Sequence, residues 1–305
     1  MNFPLSLAAV LPACVLALSA CGSIAPATGT AAATMAASAS AQDVRQLGEI
    51  VDLRSGQRVT AEQLLAQLAA APRVIIGEQH DQLSHHQIER WLLLQLQDQR
   101  PQGSVLLEML NPDQQAKVDK VKPWLRTDPV VRPEHVAELL AWQPSWKWAQ
   151  YGDLVMTVMR APYPVWSANL DRGEIKQLFI DQPAVQGKHS NLANDGKVHD
   201  KLKDIIRVMH DNQIDAPRLA AMLSVQQQRD RRMAERLLAA PAPAVLIAGA
   251  YHAHKDLGVP LHVQDLTGGP APLVLVLAQQ GATVLARQAD FVWFTPALPA
   301  VASAK

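Results

Sequence analysis

A glycine followed three residues later by a histidine occurs twice at the end of an apolar run, as Gly77-Glu78-Gln79-His80 and as Gly249-Ala250-Tyr251-His252. The preceding residues, Val74 to Ile76 and Val245 to Ala248, are short, apolar and rich in β-branched side chains, the pattern of strands covered on both faces. In open parallel sheets, side chains just past the strand C-termini line the crevice where ligands bind. The two motifs therefore deliver a carboxylate, two imidazoles and a phenol toward one cleft. Two further strand ends add polar groups, Glu108 after Ser104 to Leu107 and Asn169 after Pro164 to Ala168. Charges in a crevice are costly to desolvate unless they are paired or hold a metal or ligand. Polar groups at so many strand ends are more than a structural sheet needs.

Two chemistries suit these residues. Glu78, His80, Glu108 and His252 are carboxylate and imidazole donors of the kind that hold a divalent metal ion. Such an ion lowers the pKa of bound water and serves hydrolysis. Alternatively, a phenolate or an imidazole can hold ferric haem iron. The chain has three tyrosines, of which Tyr151 and Tyr251 lie in suggestive surroundings. His80, His85 or His252 would be the second ligand or a hydrogen-bond partner. No Cys-x-x-Cys-His run is present, so any haem would be noncovalent. Trp142, Trp146, Trp148 and Tyr151 crowd into one short stretch, where they either staple an irregular helical lid to the domain or wall a planar macrocycle. Gln226, Asp230 and Met233 share one face of a long helix, as a cleft wall or as part of a solvated, salt-bridged surface. His85 and His86 open a helix, where a charged imidazole opposes the macrodipole, so both are expected neutral and facing solvent or ligand. Arg172 is a candidate rim cation for an anionic ligand.

The elements that must position these groups alternate between strand and helix. That order predicts an α/β fold, a mostly parallel central sheet with helices on both faces and a helical lid-like insertion. Thr60 to Gln63 and Ser84 to Gln87 both have capping-box spacing and should each open a helix. Further helices are expected from Lys197 to Met209 and from Pro217 to Ala239, and a hairpin near Ile50 to Val59.

Ahead of this domain, residues 1–20 read as a signal segment, with an apolar run from Leu5 to Leu18 leading into Leu18-Ser19-Ala20-Cys21. That tetrapeptide resembles the lipobox of bacterial lipoproteins, which makes Cys21 the expected lipidation site; an ordinary cleaved signal peptide is the alternative. Cys14 would leave with the signal, so the mature domain carries no free thiol and no disulfide. Residues 21–46, rich in Ala, Ser and Thr, read as a disordered tether, 47–295 as one domain, and 296–305 as a flexible tail. The 28 basic and 28 acidic residues balance, which argues against a nucleic-acid partner.

Taken together, several motifs resemble the ChaN family of haem-binding lipoproteins. They are Gly77-Glu78-x-His80-Asp81 with His85-His86, Leu107-Glu108-Met109, the Trp142 to Tyr151 stretch, Ala168-Asn169, Gln226-x-x-x-Asp230-x-x-Met233-Ala234, and Ala248-Gly249-x-x-His252-x-x-x-Asp256. The resemblance implies an α/β domain of the Tiki and erythromycin-esterase-like superfamily and a role in haem or iron acquisition. It further implies lipid anchoring at the outer membrane facing the periplasm, a homodimer around haem held through tyrosine and histidine, and an outer-membrane haem receptor as partner. Metal-dependent proteases and esterases of that superfamily keep the hydrolase reading as the alternative.

Overall fold

The computed structural model describes residues 43–297, and the expected signal segment, Cys21 and most of the tether and tail lie outside them. An eight-stranded sheet runs in the order β2-β1-β8-β7-β3-β6-β4-β5. Its strands are β1 (Glu49–Asp52), β2 (Gln57–Val59), β3 (Arg73–Glu78), β4 (Ser104–Leu107), β5 (Val165–Ser167), β6 (Ala244–Gly249), β7 (Leu273–Gln279) and β8 (Phe291–Thr295). Six strands, β3 to β8, are mutually parallel, and the β1–β2 hairpin closes one edge antiparallel. The α/β architecture expected from the alternating pattern is the one found. β6 comes late in the chain yet inserts between β3 and β4, and this brings the two glycine-x-x-histidine motifs onto neighbouring strands.

Alternation along each central strand divides the core in two. Val74, Ile76, Val105, Leu107, Val245, Ile247, Leu275 and Leu277 face one side. There they meet α1 (Ala61–Ala70), α2 (Leu83–Gln99), α3 (Gln115–Leu125), α4 (Pro133–Leu139) and α5 (Trp148–Arg160). Ile75, Leu106, Leu246, Ala248, Val274 and Val276 face the other. Those residues meet Met233, Ala234 and Leu237 of a long helix and Val259 and Val263 of a shorter one. A side-chain period of two explains why one strand feeds both layers. Between β5 and β7 the chain adds α6 (Arg172–Asp181), α7 (Gly196–Met209), α8 (Ala216–Ala239), the single turn α9 (Ala250–Ala253) and α10 (Val259–Thr267).

Four expectations need correction. The tryptophan-bearing segment is no lid: Val118, Leu125, Val136, Leu140, Leu154 and Val158 are fully buried, so α3 to α5 form part of a core layer. Ser84 does not cap its helix. α2 starts two residues earlier, at Leu83, with Gln82 at the N-cap and no side-chain cap bond, whereas the box at Thr60 and Gln63 forms as expected. The tether ends earlier than Gln46, because Val44–Gln46 form a short 3-10 helix and Val44 packs on the core. Finally, β8 adds a strand beyond the expected elements, and its Trp293 and Phe291 are among the largest fully buried side chains.

The first motif needs its glycine for space. A Cβ at Gly77 would lie 2.6 Å from the Cβ of Ala253 and 3.0 Å from the Cα of Ala250, where α9 crosses β3. Overpacking of this kind costs about 1–3 kcal/mol. Gly77→Ala should therefore lower the thermal midpoint by several degrees in circular dichroism, and Ala253→Gly in the same chain should recover part of the loss. An unchanged midpoint in Gly77→Ala would show that α9 can retreat at no cost.

Candidate functional site

Parallel register sets Gly77 opposite Ala248 and Glu78 opposite Gly249, so both motifs emerge side by side at the sheet's C-terminal edge. A cleft of about 420 Å³ opens there, a size typical of small-ligand sites. Glu78, His80, Gln226, Asp230 and His252 supply polar groups to it, and Leu202, Ile205, Ile206 and Met209 of α7 wall it with apolar surface. Overhanging the strand ends thus falls to α7 rather than to the tryptophans. Tyr251 stands at the mouth, 47% exposed, with its ring edge-on to His254 at 5.8 Å between centroids.

The polar groups form two couples on either side of Gly249. In the first, His80 Nδ1 lies 2.6 Å from Glu78 Oε1, and the Tyr151 hydroxyl donates to the same oxygen at 2.8 Å. Burial opposes charge on His80, but the Glu78 hydrogen bond and the Glu108 carboxylate outweigh it and raise its pKa to about 9. In the second, His252 Nδ1 lies 2.6 Å from Asp230 Oδ1 and Nε2 lies 3.5 Å from Glu108 Oε1. Burial again opposes, and Glu108 and Asp230 again win, so His252 is raised above its ordinary value. Glu108 Oε2 accepts the Gly249 backbone N–H at 2.8 Å. A Cβ at Gly249 would meet His80 Nε2 at 2.9 Å, so the second glycine is what lets the couples approach.

Placement separates the expected site residues. Glu78, His80, Gln226, Asp230, Tyr251 and His252 all line the cleft. Glu108 sits just beneath, bonded to Gly249. Asn169 braces instead of binding: its amide donates to the Glu108 carbonyl and its oxygen accepts from Arg229 and the Leu170 backbone. Tyr151 is buried, and burial together with Glu78 pushes its phenol far above the usual range. Its ring packs against His86, Trp142 and Trp146, so these aromatics staple and do not form an open wall. Met233 is wholly buried in the core. The Arg172 guanidinium is bonded to Gln143. Lys201 of α7, paired with Asp256 at 3.0 Å, is near enough to His254 to lower its pKa, though burial is the larger cause.

His85 and His86 are buried, contrary to the solvent- or ligand-facing position expected. His85 Nδ1 accepts from the Gln79 backbone N–H and its Nε2–H donates to Thr295 Oγ1, tying the first motif to β8. Both ring nitrogens are committed to the fold, so no ligand in the cleft can use them. Nor do Glu78, His80, Glu108 and His252 converge on one point. The group of ligand atoms that does, among the described residues, is Glu78, His86 and Glu89. Burial pushes the Glu89 carboxyl up to about 7. Two signals in the sequence pointed to what was missed: His86 and Glu89 are three apart on one helix, and the apolar residues of α7 recur at helical spacing.

Residues 64–263 match the family described as haem-binding uptake, Tiki superfamily, ChaN. The chain belongs to this family. A structure of ChaN of Campylobacter jejuni showing cofacial haem binding superposes with a TM-score of 0.74 at 26% identity, over 82% of this chain and 97% of that one. More distant are an erythromycin esterase in an open conformation, with a TM-score of 0.44, 12% identity and 78% of each chain covered, and a Bacillus cereus protein, with a TM-score of 0.41 and 11% identity over 71% of this chain and 68% of that one. No curated protein matches the sequence.

Burial lowers the His85 pKa to about 3, so the ring is neutral in the fold. Unfolding frees it to protonate near its ordinary value. Stability contributed by the neutral ring is therefore present above about pH 6.5 and lost as pH falls toward 3. His262, likewise lowered to about 3 by burial, adds to the same slope. Urea unfolding from about pH 6 to about pH 4 should show a stability loss of a few kcal/mol. His85→Gln should reduce that slope by about one proton, and an unaltered slope would mean that His85 is already charged in the native state.

Proposed function

We propose that this ChaN-family chain carries haem noncovalently in the cleft, with the Tyr251 phenolate on iron. The observation that carries this reading is the contrast between two phenols. Tyr151 spends its hydroxyl on Glu78 inside the protein, whereas Tyr251 is half-exposed at the mouth of an apolar-walled cleft. A phenolate is a known ligand of ferric haem. Haem bound there would present a flat apolar disc with a ferric centre open to an oxygen donor. Leu202, Ile205 and Met209 would bury one face of the ring, and Lys201, paired with Asp256 at 3.0 Å, is a nearby cation that a propionate would have to share. His254, edge-on to the Tyr251 ring, is the hydrogen-bond partner or second ligand at hand.

The remaining parts of the reading rest on sequence and relatedness. The Leu18 to Cys21 lipobox supports a lipid anchor at the outer membrane facing the periplasm. Among the described residues, no helix is long and apolar enough to cross a membrane. Val208 and Met209, both strongly exposed on α7 next to the cleft, support a homodimer closed around haem. An outer-membrane receptor would then supply or accept the haem. The hydrolase alternative required Glu78, His80, Glu108 and His252 around one ion, and their division into two couples gives it no support.

Titration of the full chain with ferric haem, followed by absorbance, tests the assignment. The wild type should give a saturable Soret shift. Tyr251→Phe should weaken binding at least about tenfold and change the band, while Tyr151→Phe should keep the band and lose only stability. The reverse pattern would transfer the iron to Tyr151, and no saturable shift in the wild type would end the haem reading.

A further inference from the structure

Behind the cleft floor, on the side away from Tyr251, three side chains meet without solvent. Glu78 ends β3, and His86 and Glu89 lie on the inward face of α2; they are 1%, 2% and 0% exposed. One ligand atom from each lies within 4.8 Å of the other two. Glu78 turns only one oxygen toward the cleft: Oε1 takes His80 and Tyr151. Its Oε2 points at His86 Nδ1, 3.9 Å away, and has no hydrogen-bond partner. Glu89 Oε2 lies 3.2 Å from the same nitrogen, and Glu89 Oε1 is also without a partner.

The far side of His86 decides what its near side offers. Nε2 lies 3.3 Å from the His80 backbone carbonyl, which can only accept, so Nε2 carries a proton. In the neutral ring Nδ1 is then a lone pair facing two carboxylates, and all three groups are acceptors. One extra proton on Nδ1 would satisfy Glu89 Oε2 alone. It would leave Glu78 Oε2 and Glu89 Oε1 buried and unpaired, at a cost of several kcal/mol for ions so enclosed. A cation at the common point answers one acceptor of each of the three side chains at once. Histidine ligands characteristically give their other N–H to a backbone carbonyl, which is the arrangement here, and ligating carboxylates are themselves hydrogen-bonded, as Glu78 is by Tyr151.

We infer that Glu78, His86 and Glu89 form a structural site for a divalent first-row metal ion, separate from the haem cleft. Two carboxylates with one imidazole are a donor set suited to zinc, manganese or ferrous iron rather than to soft ions. Burial excludes substrate, so the ion would fix the loop between β3 and α2 and with it the Glu78 carboxylate that orients His80. An ion so enclosed would enter on folding.

The test uses the full chain, haem-free, unfolded with chelator and refolded with or without Co2+, then desalted. Refolded wild type should retain one Co2+ per chain, show visible ligand-field absorption and melt at higher temperature than the chelator-refolded protein. Glu89→Gln, which keeps shape but removes a charge, should lose the absorption and the stabilisation while still giving the haem Soret shift. Retention of no Co2+ by the wild type, or equal retention by Glu89→Gln, would overturn the site. Should Glu89→Gln fail to fold, the two wild-type preparations decide alone, since equal melting and no bound ion would mean the cluster is held by protons only.

Discussion

A single buried carboxylate organises this end of the molecule. Glu78 leaves one of the two central parallel strands at the level where the sheet stops, with its side chain inside the protein. An isolated carboxylate there would be prohibitively costly, so its neighbours are chosen to answer it. Tyr151 reaches it from α5, His80 folds back from its own loop, and His86 faces it from α2. Those contacts fix the helical layer, the strand end and the following loop to one another. The aromatic packing around Tyr151 follows from the same need, because a phenol must be held rigidly to serve a buried acceptor.

Much of this was legible in the sequence, for reasons that differ by element. β3, β4 and β6 are continuous apolar runs, and only a parallel sheet covered on both faces makes such runs common. The helix at Thr60 announced itself through a capping box that forms. The box at Ser84 misled, because Gln82 follows a tight turn whose N–H already bonds to Gln79, and the helix begins before the serine can cap it. β8, Phe291 to Thr295, is a run of β-forming residues, but its place between β1 and β7 is set by long-range pairing that local pattern does not show.

The site was legible by residue type and not by role. Spacing at strand ends correctly drew Glu78, His80, Tyr251 and His252 to one edge, since topology places strand C-termini together. It could not say which histidine turns inward. His85 and His86 are adjacent, yet one ties backbone to β8 and the other faces two acids. Successive residues on a helix point about 100° apart, and only the packed neighbours decide what each direction meets. Asn169 shows the same limit: its place at a strand end was read as a binding position, while its amide serves to hold Glu108 and Arg229 in register.

The two couples also explain why so many charges can share one edge without collapse of the site. Gly249 lies between them with no side chain, and its N–H is given to Glu108. Each imidazole is therefore bound by a carboxylate at short range and influenced by others at longer range, which orients both rings and raises both above their ordinary pKa. Acid is matched to base inside the edge, where Glu78 Oε1, both Glu108 oxygens and Asp230 Oδ1 face a nitrogen or hydroxyl partner. What remains free to meet a ligand is the outer layer: the half-exposed Tyr251, His254 beside it, and the apolar face of α7. With the cleft's carboxylates and imidazoles bound to one another, the outer layer has little to activate a water, as a hydrolytic reaction requires. It is well suited to a large planar ligand that brings its own metal, because the protein then has only to bury a ring and offer one atom.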